Sequence, residues 1–155
     1  MQLRQGCSGM WIAAAAAAAD QFTKAAVRRA APSFHIGNLF AIRPTRNTGA
    51  AFSMLSGSGL YLAAVTALLI AAVTLWLVAR PAAQPKWARA GLWLVVGGGL
   101  GNLYDRIVYG AVTDFIEPLF VRFAVFNVAD VAIVAGAFLA AAAFYIDEKK
   151  KEQRP

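Results

Sequence analysis

Two stretches of the chain, Leu60–Val78 (LYLAAVTALLIAAVTLWLV) and Val128–Ile146 (VADVAIVAGAFLAAAAFYI), are apolar almost throughout, and the only charge in either is Asp130. A bilayer core roughly 30 Å thick asks for about 20 such residues per helix, so both read as membrane-spanning helices. A carboxylate at the mouth of such a run costs several kcal/mol unless it is neutralised or paired, which makes Asp130 a functional candidate by default.

Two further stretches qualify less strongly. Ala88–Leu103 (ARAGLWLVVGGGLGNL) is shorter and glycine-rich, and its Gly97 and Gly101 stand at the small-xxx-small spacing that lets helix backbones approach closely. Met10–Val27 is the weakest, because its apolar part is chiefly the alanine run Ala13–Ala19, which favours helix but gains little from lipid. A secretory signal peptide, with Arg4 as its charged end and cleavage before Asp20, is the competing reading of that segment. The helix runs on through Asp20 and Lys24, placed to pair at i, i+4. With 59% hydrophobic and 15% charged residues, the chain has too little polar surface for an ordinary soluble domain. The expectation is an all-α integral membrane protein: one domain over residues 1–155, with four transmembrane helices at about 10–27, 60–78, 88–103 and 128–146.

The long segment 28–58 holds Pro32, Gly37, Pro44 and Gly49. Its short runs Asn38–Ile42 and Ala50–Met54 are predicted strands of a small sheet lying at the membrane surface between helices one and two. A second outer segment, 106–125, is broken at Pro118. The short loop 80–89 carries Arg80, Lys86 and Arg89, and the tail carries Lys149, Lys150, Lys151 and Arg154. The positive-inside rule puts that loop and tail in the cytoplasm, with both termini inside and the long segments outside. Trp76 and Trp87 flank the inner loop as interfacial anchors.

The net charge of +7 is not organised for nucleic acid: no zinc spacing, basic helix or aromatic-basic interleaving accompanies it. Positive loops held at anionic lipid heads explain it better. Cys7 and His35 are each alone, so neither a disulfide nor a histidine- or cysteine-rich metal site can be built. Neither metal nor cofactor is expected.

In this topology Asp20, Asp105, Asp114 and Asp130 meet at the outer membrane surface, while Asp147 lies in the basic tail. Asp20 has Lys24 one turn away, and Asp105 has Arg106 beside it and Asn102 three residues earlier, so a structural role as ionised pairs suits both. Asp114 and Asp130 have no basic residue within four positions and sit among apolar neighbours. Two such carboxyls brought together share a proton, one serving as base and the other as acid, and can hydrolyse a peptide bond without metal. Paired intramembrane carboxylates also serve proton relays and ion pathways, so the residues alone leave a small transport subunit open.

Five blocks in order, DQFTK (Asp20–Lys24), RNTGAAFS (Arg46–Ser53), GGGLGNLYDR (Gly97–Arg106), VTDFI (Val112–Ile116) and FNVAD (Phe126–Asp130), resemble those of bacterial lipoprotein signal peptidase, signal peptidase II. The resemblance implies a four-helix aspartic endopeptidase of the bacterial cytoplasmic membrane, with a small extracytoplasmic sheet and loop cradle for the substrate between helices one and two. Its partners would be membrane lipids and a diacylglyceryl-modified prolipoprotein, cut just before the modified cysteine, and a monomer would suffice. It implies Asp114 and Asp130 as the catalytic dyad, Asn47, Asn102, Arg106 and Asn127 as residues lining the site, and Asp20, Lys24 and Asp105 as its support. Val131 stands where the family commonly has serine.

Overall fold

The computed structural model describes residues 7–49 and 59–153. A short 3-10 turn at Cys7–Gly9 leads into helix α1 (Met10–Ala30), followed by strands β1 (Phe34–Ile36) and β2 (Phe40–Asn47) and helix α2 (Gly59–Ala79). A second 3-10 turn at Pro81–Ala83, helix α3 (Lys86–Tyr109), strand β3 (Val112–Pro118) and helix α4 (Val128–Glu152) complete the order. The protein is mostly helical, with one antiparallel sheet in the order β1-β2-β3.

Among the described residues, α2 and α4 are the helices long and apolar enough to cross a membrane. Composition holds α1 and α3 below that mark: α1 relies on alanine and carries Asp20, Lys24, Arg28 and Arg29, and α3 carries Lys86, Arg89, Asp105 and Arg106. Asp20, Lys24, Asn102 and Asp105 are all buried between helices. Large apolar side chains face outward instead, among them Leu60, Leu68, Leu69 and Leu75 of α2 and Val134 and Phe138 of α4. Polar groups inside and apolar groups outside reverse the pattern of a water-soluble domain.

Helix α3 lies at the centre, packed against α1, α2 and α4. Its glycines let the neighbours close in. A Cβ on Gly91 would run into the Gly136 carbonyl oxygen of α4 and lie 2.8 Å from Ala140 N. One on Gly97 would lie 2.8 Å from the Ala13 Cα of α1, and one on Gly101 would meet the Asp20 carboxylate. The close approach expected at Gly97 and Gly101 is therefore made, against the alanine run of α1. Away from the site, Ala13, Leu77, Trp93 and Val96 form the apolar core, with Ile12, Ile70, Val73 and Leu92 against it.

The helices are longer than the hydropathy pattern suggests. α3 continues past Leu103 to Tyr109, so Arg106 sits in its last turn instead of opening the outer segment. Gly110, at φ +69°, ends it in the left-handed conformation, its N–H bonding Arg106 O at 3.2 Å. α4 runs past Ile146 to Glu152, with Lys149, Lys150 and Lys151 in the last turn, where the helix dipole favours cations.

The sheet differs more. Asn38 lies in the turn between β1 and β2, after Gly37 at φ +57°, and β2 begins at Phe40 and runs on to Asn47. Ala50–Met54 falls outside the described residues. β3 comes from the segment between α3 and α4, so the sheet is not confined to the connection between the first two helices. β3 pairs with β2 from Phe40↔Pro118 to Asn47↔Val112, with an irregularity between Ile42 and Thr45, where Pro44 has no N–H to give.

Gly91→Val is expected to destabilise the fold by about 1–3 kcal/mol through overpacking against α4. The midpoint of thermal unfolding in detergent checks this: it should fall, and an unchanged midpoint would contradict the close helix contact.

Candidate active site

Phe126 brings the second half of the site to the first. It forms an isolated antiparallel bridge with Ile116 of β3, donating to Ile116 O at 3.0 Å and accepting from Ile116 N at 2.9 Å. Asn127 is thereby laid beside β3 just as α4 starts. A helix start leaves backbone N–H groups without partners, and here side chains supply them. Asp130 N donates to Asn127 Oδ1 at 2.9 Å, and Asn127 N donates to Asp130 Oδ2 at 3.1 Å, a reciprocal capping box. Ala129 N donates to Asp20 Oδ1 at 2.9 Å, tying α1 to the same turn.

Asp114, near the start of β3, accepts on both oxygens: from Asn47 Nδ2 of β2 at 2.9 Å and from Asn127 Nδ2 at 2.7 Å. Asn47 lies diagonally across the strand pair from Asp114, within side-chain reach. Its oxygen accepts from Gly49 N at 3.0 Å, which fixes the amide with its NH2 toward the carboxylate. Asp130 Oδ1 accepts from Asn102 Nδ2 at 2.8 Å. Asn102 Oδ1 in turn accepts from Asn127 Nδ2 at 3.1 Å and from Lys24 Nζ at 2.8 Å. An ammonium can only donate, so Lys24 forces the Asn102 oxygen toward itself and the amide NH2 toward Asp130. Two amides, Asn102 and Asn127, thus link the two carboxylates, and among the described residues neither carboxylate bonds a cation directly.

Beneath this bridge lies the charged support. Lys24 Nζ is 2.8 Å from Asp20 and 3.5 Å from Asp105, all three fully buried. Asp105 also meets Arg28 at 3.3 Å and accepts from Gln21 Nε2 at 3.1 Å and Thr113 N at 2.9 Å.

Burial pushes the Asp114 carboxyl up to about 6. The Asn47 hydrogen bond opposes that rise, the negative charge of Asp130 adds to it, and the Asn127 bond and the charge of Lys24 pull it back. Both aspartates line a pocket of about 640 Å³ together with Asn47, Asn102 and Arg106. Its remaining wall is apolar, including Phe126 and, on α4, Val131, Val134 and Phe138. Those last three are exposed, so the pocket opens onto the apolar flank of α4. A polar end bearing two carboxyls and an apolar flank suit an amphiphilic ligand. Among the described residues no three His, Cys, Asp or Glu side chains gather as a metal ion would need.

The Asp20–Lys24 pair forms as the spacing predicts. Asp105 does not pair with Arg106: adjacent helix residues point about 100° apart, and Asp105 takes Lys24 and Arg28 instead. Arg106 turns to the Gly49 carbonyl at 3.2 Å and the Asn102 carbonyl at 3.5 Å. Asn102 serves Asp130, not Asp105. Asn47 is at once a turn residue, through Gly49, and a partner of Asp114. Gln21, Arg28 and Thr113 escape the sequence reading. For Arg28 a signal exists: Asp20, Lys24 and Arg28 recur every fourth residue, one polar stripe on α1.

A family model described as "Signal peptidase (SPase) II" matches residues 12–146. Curated relatives include a lipoprotein signal peptidase of Brevibacillus brevis, 34% identical over 91% of this chain and 99% of that one. Another, from Mesorhizobium japonicum, is 42% identical over 81% of this chain and 77% of that one. A solved structure described as a bacterial membrane enzyme superposes with a TM-score of 0.85 at 29% identity, covering 96% of this chain and 93% of that one. A second, described in the same words, gives 0.75 at 28% identity, over 88% and 92%.

Removing one partner of a buried ion pair typically costs about 3–5 kcal/mol. Lys24→Met is therefore expected to sharply reduce the yield of folded protein and its unfolding midpoint in detergent. A Lys24→Met protein as stable as wild type would contradict the central place given to this ammonium.

Proposed function

This chain belongs to the signal peptidase II family, and from that we propose that Asp114 and Asp130 are the pair that cuts its substrate. The protein is an aspartic endopeptidase that removes signal peptides from prolipoproteins. The proton-relay alternative is set aside, because the family match spans residues 12–146. The observation that carries the dyad is the two-amide bridge joining the carboxylates at one pocket.

In this reading Asp114, whose buried carboxyl keeps its proton to higher pH, is the acid. Asp130, at the positive end of α4, is the base. Asp130 takes a proton from water as the water oxygen bonds the scissile carbonyl carbon, and Asp114 gives its proton to the carbonyl oxygen. The tetrahedral species collapses when the C–N bond breaks, the nitrogen takes the proton from Asp130, and Asp114 recovers its own from the hydroxyl. Asn47, Asn102 and Asn127 hold the two carboxyls, while Arg106 lines the same pocket. Asp20, Lys24 and Asp105 support them.

The scissile bond precedes a diacylglyceryl-modified cysteine, and the exposed wall of Val131, Val134 and Phe138 takes apolar parts of that substrate. Residues 1–155 act as one domain whose four helices all cross the bacterial cytoplasmic membrane. α1 and α3 do so with Asp20, Lys24 and Asp105 turned inward. Both termini are cytoplasmic, the site faces outward, and a single chain suffices because it supplies both aspartates.

Purified wild type, Asp114→Asn and Asp130→Asn, given a diacylglyceryl-modified prolipoprotein and its unlipidated precursor, test the reading by product mass. Wild type should cut only the lipidated form, and either variant should lose roughly a thousand-fold or more in kcat. Wild-type turnover in a folded variant would end the proposal. The singly protonated pair is lost when Asp114 ionises, so kcat/KM should fall as pH rises through about 6. Asn47→Ala removes a donor that favours the carboxylate, so the proton is held longer and that limb should move to higher pH. A pH profile of both proteins decides it.

A further inference from the structure

Thr113, the residue before Asp114, is gripped twice. Its backbone N–H donates to Asp105 Oδ2 at 2.9 Å, and its Oγ1 accepts from Arg28 Nη1 at 3.0 Å. The two gripping groups are joined, because Arg28 Nη1 lies 3.3 Å from Asp105 Oδ1 and 3.5 Å from Oδ2. The Arg28 guanidinium also lies over the Tyr109 ring, 4.4 Å from its centroid. It is held in one plane between the last turn of α1, the last turn of α3 and the first residues of β3.

We infer that Arg28 is a positioning residue for catalysis, acting through Thr113 to fix Asp114 opposite Asp130. The inference rests on the dyad proposed above. The geometry explains why a side chain outside the pocket matters there. Asn47 and Asn127 set the direction of the Asp114 carboxyl, while its backbone is held by the β2 pairing on one side and, through Thr113, by Asp105 and Arg28. A reacting group misplaced by about 1 Å costs on the order of a hundred-fold in rate.

Arg28 differs from Lys24 in what its loss would do to the fold. Its side chain is 24% exposed, and without it Asp105 keeps Lys24, Gln21 and the Thr113 N–H. The carboxylate is not orphaned, so the protein should fold. Lysine is only a partial substitute, because an ammonium can meet Asp105 or Thr113 but lacks the flat guanidinium that lies on the Tyr109 ring while Nη1 bonds both.

The test compares wild type, Arg28→Met, Arg28→Lys, Thr113→Val and the Arg28→Met/Thr113→Val double variant on lipidated prolipoprotein, with Asp114→Asn alongside. Arg28→Met should lower kcat about ten-fold or more with KM within about two-fold, Arg28→Lys should recover only part, and Thr113→Val should fall in the same direction. The double variant should be no worse than Arg28→Met, since both act through one contact. Unchanged kcat in folded Arg28→Met, or effects that multiply in the double variant, would overturn the inference. Should Arg28→Met fail to fold, Thr113→Val decides alone: it keeps the backbone bond and shape, and unchanged kcat there would overturn it equally. An inactive wild type, or an active Asp114→Asn, would strike the dyad itself, whereas an active wild type and dead Asp114→Asn with normal Arg28 variants would strike only this inference.

Discussion

Burying an ammonium without partners costs more than any single helix contact returns, so the place where Lys24 sits dictates what may surround it. Its three donors point to Asp20 on its own helix and to Asn102 and Asp105 on α3. Asp20 reaches on to the first turn of α4. One charge therefore registers three helices, and through the Asn102 amide it also sets the donor that faces Asp130. Isolated buried pairs are often no better than apolar packing. Here the gain lies in specificity, because sliding α1 by one residue would take Lys24 from Asn102 and Asp105 and Asp20 from the start of α4.

That network can close only because the backbones come near. Gly101 faces the Asp20 carboxylate and Gly97 faces Ala13, so α1 lies against a side of α3 from which Cβ atoms are missing. The alanine run of α1, a poor choice for contact with lipid, is a good one for contact with glycine. On the other side, Gly98 lies against Ala129, one residue before Asp130. Small residues thus bring the starts and ends of three helices within hydrogen-bond length of one another, which larger side chains would prevent.

What the sequence could and could not reveal follows from the range of each interaction. The apolar runs of α2 and α4 and the Asp20–Lys24 spacing are local, and the structure has them. The glycine spacing also carries its meaning on its face. β3 does not: VTDFIEP is a strand because β2, far away in sequence, pairs with it, and nothing within the segment 106–125 says so. Asp105 misleads for the same reason, since Arg106 is adjacent in sequence yet points elsewhere on the helix. The convergence of Asp114 and Asp130 on one pocket could be suspected from their apolar settings, but the amide bridge between them depends on Phe126 pairing back onto β3.

Holding Asp114 in this setting works against the fold. Its carboxyl sits at about 6 where 3.8 is ordinary. Between those values the unfolded chain has released its proton and the folded one retains it, so this group's contribution to stability falls as pH rises from about 4 to about 6 and stays lost above that. At neutral pH the penalty is on the order of 3 kcal/mol. Asn47 and Asn127 hold it to that size by bonding the charged form, while the helix contacts offset it. A carboxyl left fully solvated would remove the penalty and with it the readiness to hold a proton. The close packing of the helices is thus what allows a destabilised acid on β3 to persist.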